Sequence, residues 1–195
     1  MALTPHPKLD ELRRALQRCL PLAHATTRIV YRSTSVDYAT SGDLLTGAGS
    51  KRNGGRWNPM GSFETIYAST MPDTAMDESI AHHRYFGIPI QNAFPRVFVA
   101  IDAKLSKVLD LTNGKVRRQL RVSLANIISE DWRKEQDQGR ESLTQTIGRV
   151  AFENGLEALL VPSAACSNGE GMIIFPANLK RISELVILNA SALPS

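Results

Sequence analysis

The sequence predicts an α+β fold, and three observations lead there. Helical and strand-like segments are intermixed without the regular βαβ alternation that a doubly wound parallel sheet requires. The glycine-rich stretch holds neither GxGxxG nor GxxxxGKS/T, so a Rossmann site or a Walker loop is unsupported. A length of 195 residues, 43% hydrophobic and 22% charged, suits one ordinary globular domain that buries its own core.

The elements follow in order. Leu9, Leu12, Leu16 and Leu20 recur at spacings of three and four, which predicts an amphipathic helix over 8–20 stopped by Pro21. RIVYRS, 28–33, reads as a strand. The stretch 34–62, rich in Ser, Thr and Gly, reads as a long loop, and loops of that length are usually functional or mobile. TIYAS, 65–69, is a short strand, and Pro72 then suits the first turn of a helix capped by Ser69 or Thr70. That helix runs to Phe86 and ends at Gly87 and Pro89. RVFVAIDA (96–103) and KVLDL (107–111) predict two strands, and 114–128 and 141–154 two helices, the second closed by Gly155. ALLVPS (158–163), GMIIFP (171–176) and ELVILN (184–189) complete the strands. No internal repeat or low-complexity tract appears.

A formal charge of +4 and a pI near 9.3 favour anionic partners, whether nucleic acid, a phosphorylated small molecule or an acidic protein. The basic residues are scattered, and 6% aromatics give little material for base stacking, which disfavours a non-catalytic nucleic-acid-binding module. Cys19 and Cys166 match no metal or redox spacing and suit a reducing compartment. No apolar run approaches the ~20 residues of a membrane span, and no basic leader precedes an apolar stretch, so a cytoplasmic protein is expected.

Chemistry-bearing residues fall in separate segments. In GGRWNPMG, 54–61, Gly54 and Gly55 permit unusual backbone angles and close approach to a ligand. Arg56 adds a fork of donors suited to phosphate, with Lys51 and Arg52 just upstream; a solvated surface turn is the plain alternative. Arg32, after Tyr31 near the end of a core strand, must meet a partner or face a cleft, since an unpaired buried charge is costly. Tyr67 offers a ring for stacking, or else packs in the core with its hydroxyl at the rim. Glu78 lies in the 72–86 helix among Ala75, Ile80 and Ala81. His82 and His83 are adjacent and face apart, so they do not form the i, i+4 pair of a zinc helix, and no metal is expected. Ser163 has no GxSxG surroundings.

Taken in order, Tyr31-Arg32, Gly54-Gly55-Arg56-Trp57-Asn58, Ile66-Tyr67-Ala68-Ser69, Ala75 through Glu78 and Val161-Pro162-Ser163 resemble the RES domain family. The literal string Arg140-Glu141-Ser142 is coincidence, because the family's three polar residues come from distant segments. The resemblance implies an N-terminal helical extension, 1–27, and a catalytic domain, 28–190, with split, mostly antiparallel β-sheets around an NAD cleft, similar to ADP-ribosyltransferases. It also implies a toxin that consumes NAD by hydrolysis or phosphorolysis, the alternative being a mono-ADP-ribosyltransferase acting on a cellular protein. On this reading Glu78, Arg32 and Ser163 are catalytic, and Arg32, Tyr67, Arg56, Tyr31, Gly55 and Ser163 hold NAD as substrate. A helix-turn-helix antitoxin that blocks the active site is the implied partner, and a homo-oligomer is compatible. The segment 113–140 does not align with the family pattern and is expected to leave catalysis untouched.

Overall fold

The structure, a computed structural model, describes residues 3–193. Helix α1 (Leu9–Cys19) buries Leu12, Ala15, Leu16 and Cys19, the face set by its leucine spacing. It packs on α5 (Gly114–Leu120) and α8 (Leu143–Glu153), so its apolar face is continuous with the core.

Six strands, β1 (His24–Ser35), β2 (Ile66–Ser69), β3 (Arg96–Asp110), β4 (Ala158–Pro162), β5 (Glu170–Ile174) and β6 (Glu184–Ile187), form one sheet in the order β1-β2-β5-β4-β3-β6. Strand β1 also pairs with β3, which closes the first five strands of that order into a barrel, with β6 on its flank. Every pairing is antiparallel except β3 with β4. The mixed α and β content is as expected, but the two expected sheets are joined into one. The joint is β3, a single 15-residue strand where two short ones were expected. It has length enough for β1 along most of its course, β6 at 101–104 and β4 at 108–110.

Alternation along β4 sends Leu159 and Val161 to one core cluster and Ala158 and Leu160 to the other. Ile173 of β5 likewise opposes Met172 and Ile174. These strands are buried on both faces, which is why ALLVP and GMII read as continuous apolar runs rather than alternating ones.

The 34–62 stretch is not a plain loop. It holds α2 (Ser41–Thr46), capped by the Thr40 side chain, and α3 (Ala48–Asn53), separated by Gly47 in the left-handed conformation. Helix α4 (Pro72–Phe86) has Pro72 in its first turn and Gly87 left-handed at its end. Its expected Ser69 or Thr70 cap is not formed: Ser69 closes β2, the Thr70 amide pairs with the Glu170 carbonyl, and Met71 precedes the helix without a side-chain cap. The helix expected over 114–128 is broken at Arg121, left-handed at φ 57°, into α5 and α6 (Leu124–Ser129), and α7 (Trp132–Asp137) follows.

Candidate active site

A cleft of about 1000 Å³ opens between the ends of β1, β2 and β4, helix α4, the Gly54–Asn58 turn and α7. Its volume lies at the top of the ~300–1,000 Å³ range of small-ligand pockets. Tyr31, Arg32, Gly55, Arg56, Tyr67, Glu78 and Ser163 all line it, although they come from five separated segments.

The floor is built around Tyr67. Its hydroxyl donates to Asn58 Oδ1 at 2.8 Å and accepts the Trp57 amide at 2.8 Å. Asn58, fully buried, donates in turn to the Ser50 carbonyl at 2.8 Å. Enclosure, against the opposing help of the Trp57 amide and the Arg56 charge, pushes the phenol pKa well above its ordinary value, so it is a neutral strut. Gly55 is glycine for this reason: a Cβ there would strike the Tyr67 hydroxyl. Gly55 is approached closely by the protein's own tyrosine, and the residue of the pair with positive φ is Gly54. Helix α8 supports the turn from beneath. Gln145 Nε2 donates to the Gly55 carbonyl at 3.1 Å, and a Cβ on Gly148 would collide with the Trp57 carbonyl.

Three cationic groups face this floor. Arg32 donates through Nη1 to the Tyr67 carbonyl at 3.4 Å, while its buried Nε has no partner. Among the described residues no carboxylate lies within 4.0 Å of it, so the internal salt bridge open to it from sequence is not formed. Burial pulls its pKa down to about 10. Arg56 spends Nη1 on the carbonyls of Ile127 (2.9 Å) and Glu130 (3.1 Å), which fixes the guanidinium. Arg96 is tied to Ser33 through Nε and Nη2. Lys51 and Arg52 are exposed and do not line the cleft.

The carboxylate comes from α4. Ser163 Oγ donates to Glu78 Oε1 at 2.5 Å and accepts the amides of Ala165 (3.1 Å) and Cys166 (3.0 Å). A hydroxyl has one donor and two acceptor sites, so all of Ser163's capacity is used within the protein. In this arrangement its donor hydrogen goes to Glu78, which it orients. Tyr31 stacks on Phe98 at 6.0 Å between centroids and forms the side wall.

Segment 113–140, expected to leave catalysis untouched, reaches the cleft through α7. Trp132, Arg133, Gln136 and Asp137 line the cleft, and Gln136 ties α7 to the Asn53 carbonyl and to Gln145. Asn58 and Arg133 are the functional candidates that sequence reasoning passed over. Asn58 stood inside the GGRWN motif, whereas nothing around Arg133 marked it. Among the described residues no cluster of three or more His, Cys, Asp or Glu could hold a metal, and no helix is long and apolar enough to cross a membrane.

The fold is a closed barrel, and its cleft combines several arginines with a carboxylate bonded to Ser163. The chain belongs to the RES domain family, whose model matches residues 29–193. It is similar to the "NAD(+) phosphorylase MbcT" of Mycobacterium tuberculosis (strain ATCC 25618 / H37Rv) and of Mycobacterium bovis (strain ATCC BAA-935 / AF2122/97), at 28% identity over 134 residues, 68% of this chain. That stretch is 66% of the relatives' own length, just under two thirds. In fold it resembles a chain from the crystal structure of the M. tuberculosis MbcT–MbcA toxin–antitoxin complex, with a TM-score of 0.69 at 23% identity, covering 94% of this chain and 95% of that one.

Proposed function

We propose that this protein is an NAD-consuming toxin that cleaves the nicotinamide–ribose bond, with phosphate as the favoured acceptor. The observation that carries the reading is Glu78, held by Ser163 in a cleft with an otherwise unpartnered guanidinium from Arg32. The residues present fit a dinucleotide. Arg32's enclosed Nε awaits an acceptor, and a pyrophosphate is one that a guanidinium binds through two parallel hydrogen bonds. The name of the mycobacterial relatives supports phosphorolysis over hydrolysis.

In the reaction, the glycosidic C–N bond breaks and its electron pair neutralises the nicotinamide ring nitrogen. A phosphate oxygen bonds to the anomeric carbon, giving nicotinamide and ADP-ribose 1″-phosphate. Positive charge grows on the ribose in the transition state, as in glycoside hydrolysis. Glu78 stabilises that charge, and such preorganised groups are typically worth ~100- to 1,000-fold in rate. Ser163 acts by positioning the carboxylate. Tyr67 holds the turn that carries Arg56 and presents its ring to the cleft, and Tyr31 contributes a wall for the substrate. The fold is, on this proposal, an ADP-ribosyltransferase-like one, with 28–190 as the catalytic unit. The exposed apolar rim at Tyr85 and Phe86 suits coverage by an antitoxin, for which a helix-turn-helix protein is the proposed type, acting in the cytoplasm.

Product analysis tests the reading. Purified protein with NAD should release nicotinamide faster in phosphate than in phosphate-free buffer, with ADP-ribose 1″-phosphate as co-product. Free ADP-ribose as sole product in both buffers would reject phosphorolysis, and intact NAD in both would reject the enzyme.

A further inference from the structure

The geometry points to a second phosphate-binding subsite in the cleft, formed by Arg133 of α7 together with Arg56. The guanidinium of Arg133 lies over two rings, 4.5 Å from the Trp132 centroid and 5.0 Å from that of Tyr85. Tyr85 is itself fixed, because its hydroxyl donates to both Asp131 carboxylate oxygens, at 2.9 and 3.0 Å. Arg56 is pinned by the Ile127 and Glu130 carbonyls. Both guanidinia therefore present defined faces to one cleft. Among the described residues neither has a carboxylate within 4.0 Å.

Two partly buried cations on one cleft without a carboxylate partner burden the empty protein, and a bound phosphate would relieve both the desolvation and the repulsion. Burial first, and the neighbouring Arg56 charge second, pull the Arg133 pKa down. The subsite is also distinct from the Arg32 end. Arg32 stands on β1 and bonds the Tyr67 carbonyl, whereas Arg56 stands on the Gly54–Asn58 turn and Arg133 on α7. The pair shares its cleft with the Glu78 carboxylate, so an attacking phosphate would have to be held against that negative charge.

The inference rests on the NAD-cleaving reading, and the ligand chemistry is a phosphate group from either of two sources. Arg133→Gln removes the charge while the carboxamide still donates hydrogen bonds. If the group is orthophosphate, the KM for phosphate should rise about 10- to 100-fold, the usual consequence of losing charge-assisted hydrogen bonds, with that for NAD little changed. If the group is the pyrophosphate of NAD, the KM for NAD should rise instead. Unchanged constants for both substrates would overturn the subsite. A readout independent of turnover separates this outcome from failure of the enzymatic reading. Titration of the wild-type protein with orthophosphate and with pyrophosphate should raise its melting temperature, and Arg133→Gln should blunt that rise. An equal rise in both proteins overturns the subsite even where NAD is never cleaved. Should Arg133→Gln fail to fold, Arg133→Lys carries the same test, keeping the charge and losing the planar fork.

Discussion

Tyr67→Phe removes one oxygen and, through it, the organisation of the whole turn. Two hydrogen bonds go, one to Asn58 and one from the Trp57 amide, both 2.8 Å long. Each is worth about 0.5–1.5 kcal/mol net, and a stranded enclosed donor costs about 1–3 kcal/mol. Allowing for overlap between these terms, the variant should lose about 2–3 kcal/mol of stability. For a chain of this size that corresponds to a fall of roughly 4–12 °C in Tm. Paired urea and thermal melts would read the loss, and nicotinamide release would read its consequence, since the turn carries Arg56. A Tm within about 1 °C of wild type would refute the assignment of Tyr67 as a strut.

Further predictions concern the same scaffold. Gly55→Ala should destabilise by about 1–3 kcal/mol through overpacking, and by less in the Tyr67→Phe background, because the hydroxyl clash is gone there while the ring carbon remains close; strictly additive effects on denaturant midpoints would contradict this. Arg32→Met should raise the Tm of the ligand-free protein while abolishing NAD turnover, since a desolvated guanidinium without a carboxylate partner burdens the fold; a lowered Tm would show that Arg32 serves structure first. Glu157 is buried away from the cleft. Burial raises its pKa, but donors from Ser106, Ser183 and the Lys180 amide outweigh that and hold it below its ordinary 4.5. Its contribution to stability is therefore complete above about pH 4.5 and is lost as pH falls through the lower folded-state value, so Glu157→Gln should flatten the acid limb of a stability–pH curve.

The parts of the fold legible in sequence were those with strong local patterning. The leucines of α1, the Pro72 and Gly87 ends of α4, and the apolar runs of β4 and β5 each carry their own signal. Closure of the barrel carried none. It depends on β3 continuing through Lys104 to Ser106, a polar interruption that reads locally as a break, and on β1 reaching back to His24 along it. Helices α2 and α3 were hidden because their Ser and Gly content reads as loop, although Thr40 followed by Asp43 is a capping pattern. At the site, order along the chain brought Arg32, Arg56, Tyr67, Glu78 and Ser163 into one reading, and the structure lines one cleft with them. Sequence could not distinguish a group that meets a ligand from one that holds its neighbour. Sequence order names Ser163 and Gly55 as ligand contacts, and the structure adds that Ser163 bonds Glu78 and that Gly55 lies against Tyr67. Arg133 was invisible because its ring partner Tyr85 lies 48 positions away and only α7's seat across the cleft unites them.

The most direct test compares wild type with Glu78→Gln in single-turnover release of nicotinamide at saturating NAD and phosphate. The carboxamide keeps the shape and can still accept from Ser163, so folding and NAD binding should persist while the rate drops by about 100- to 1,000-fold. Nicotinamide released by the variant at the wild-type rate would mean that charge at this position does not drive the cleavage.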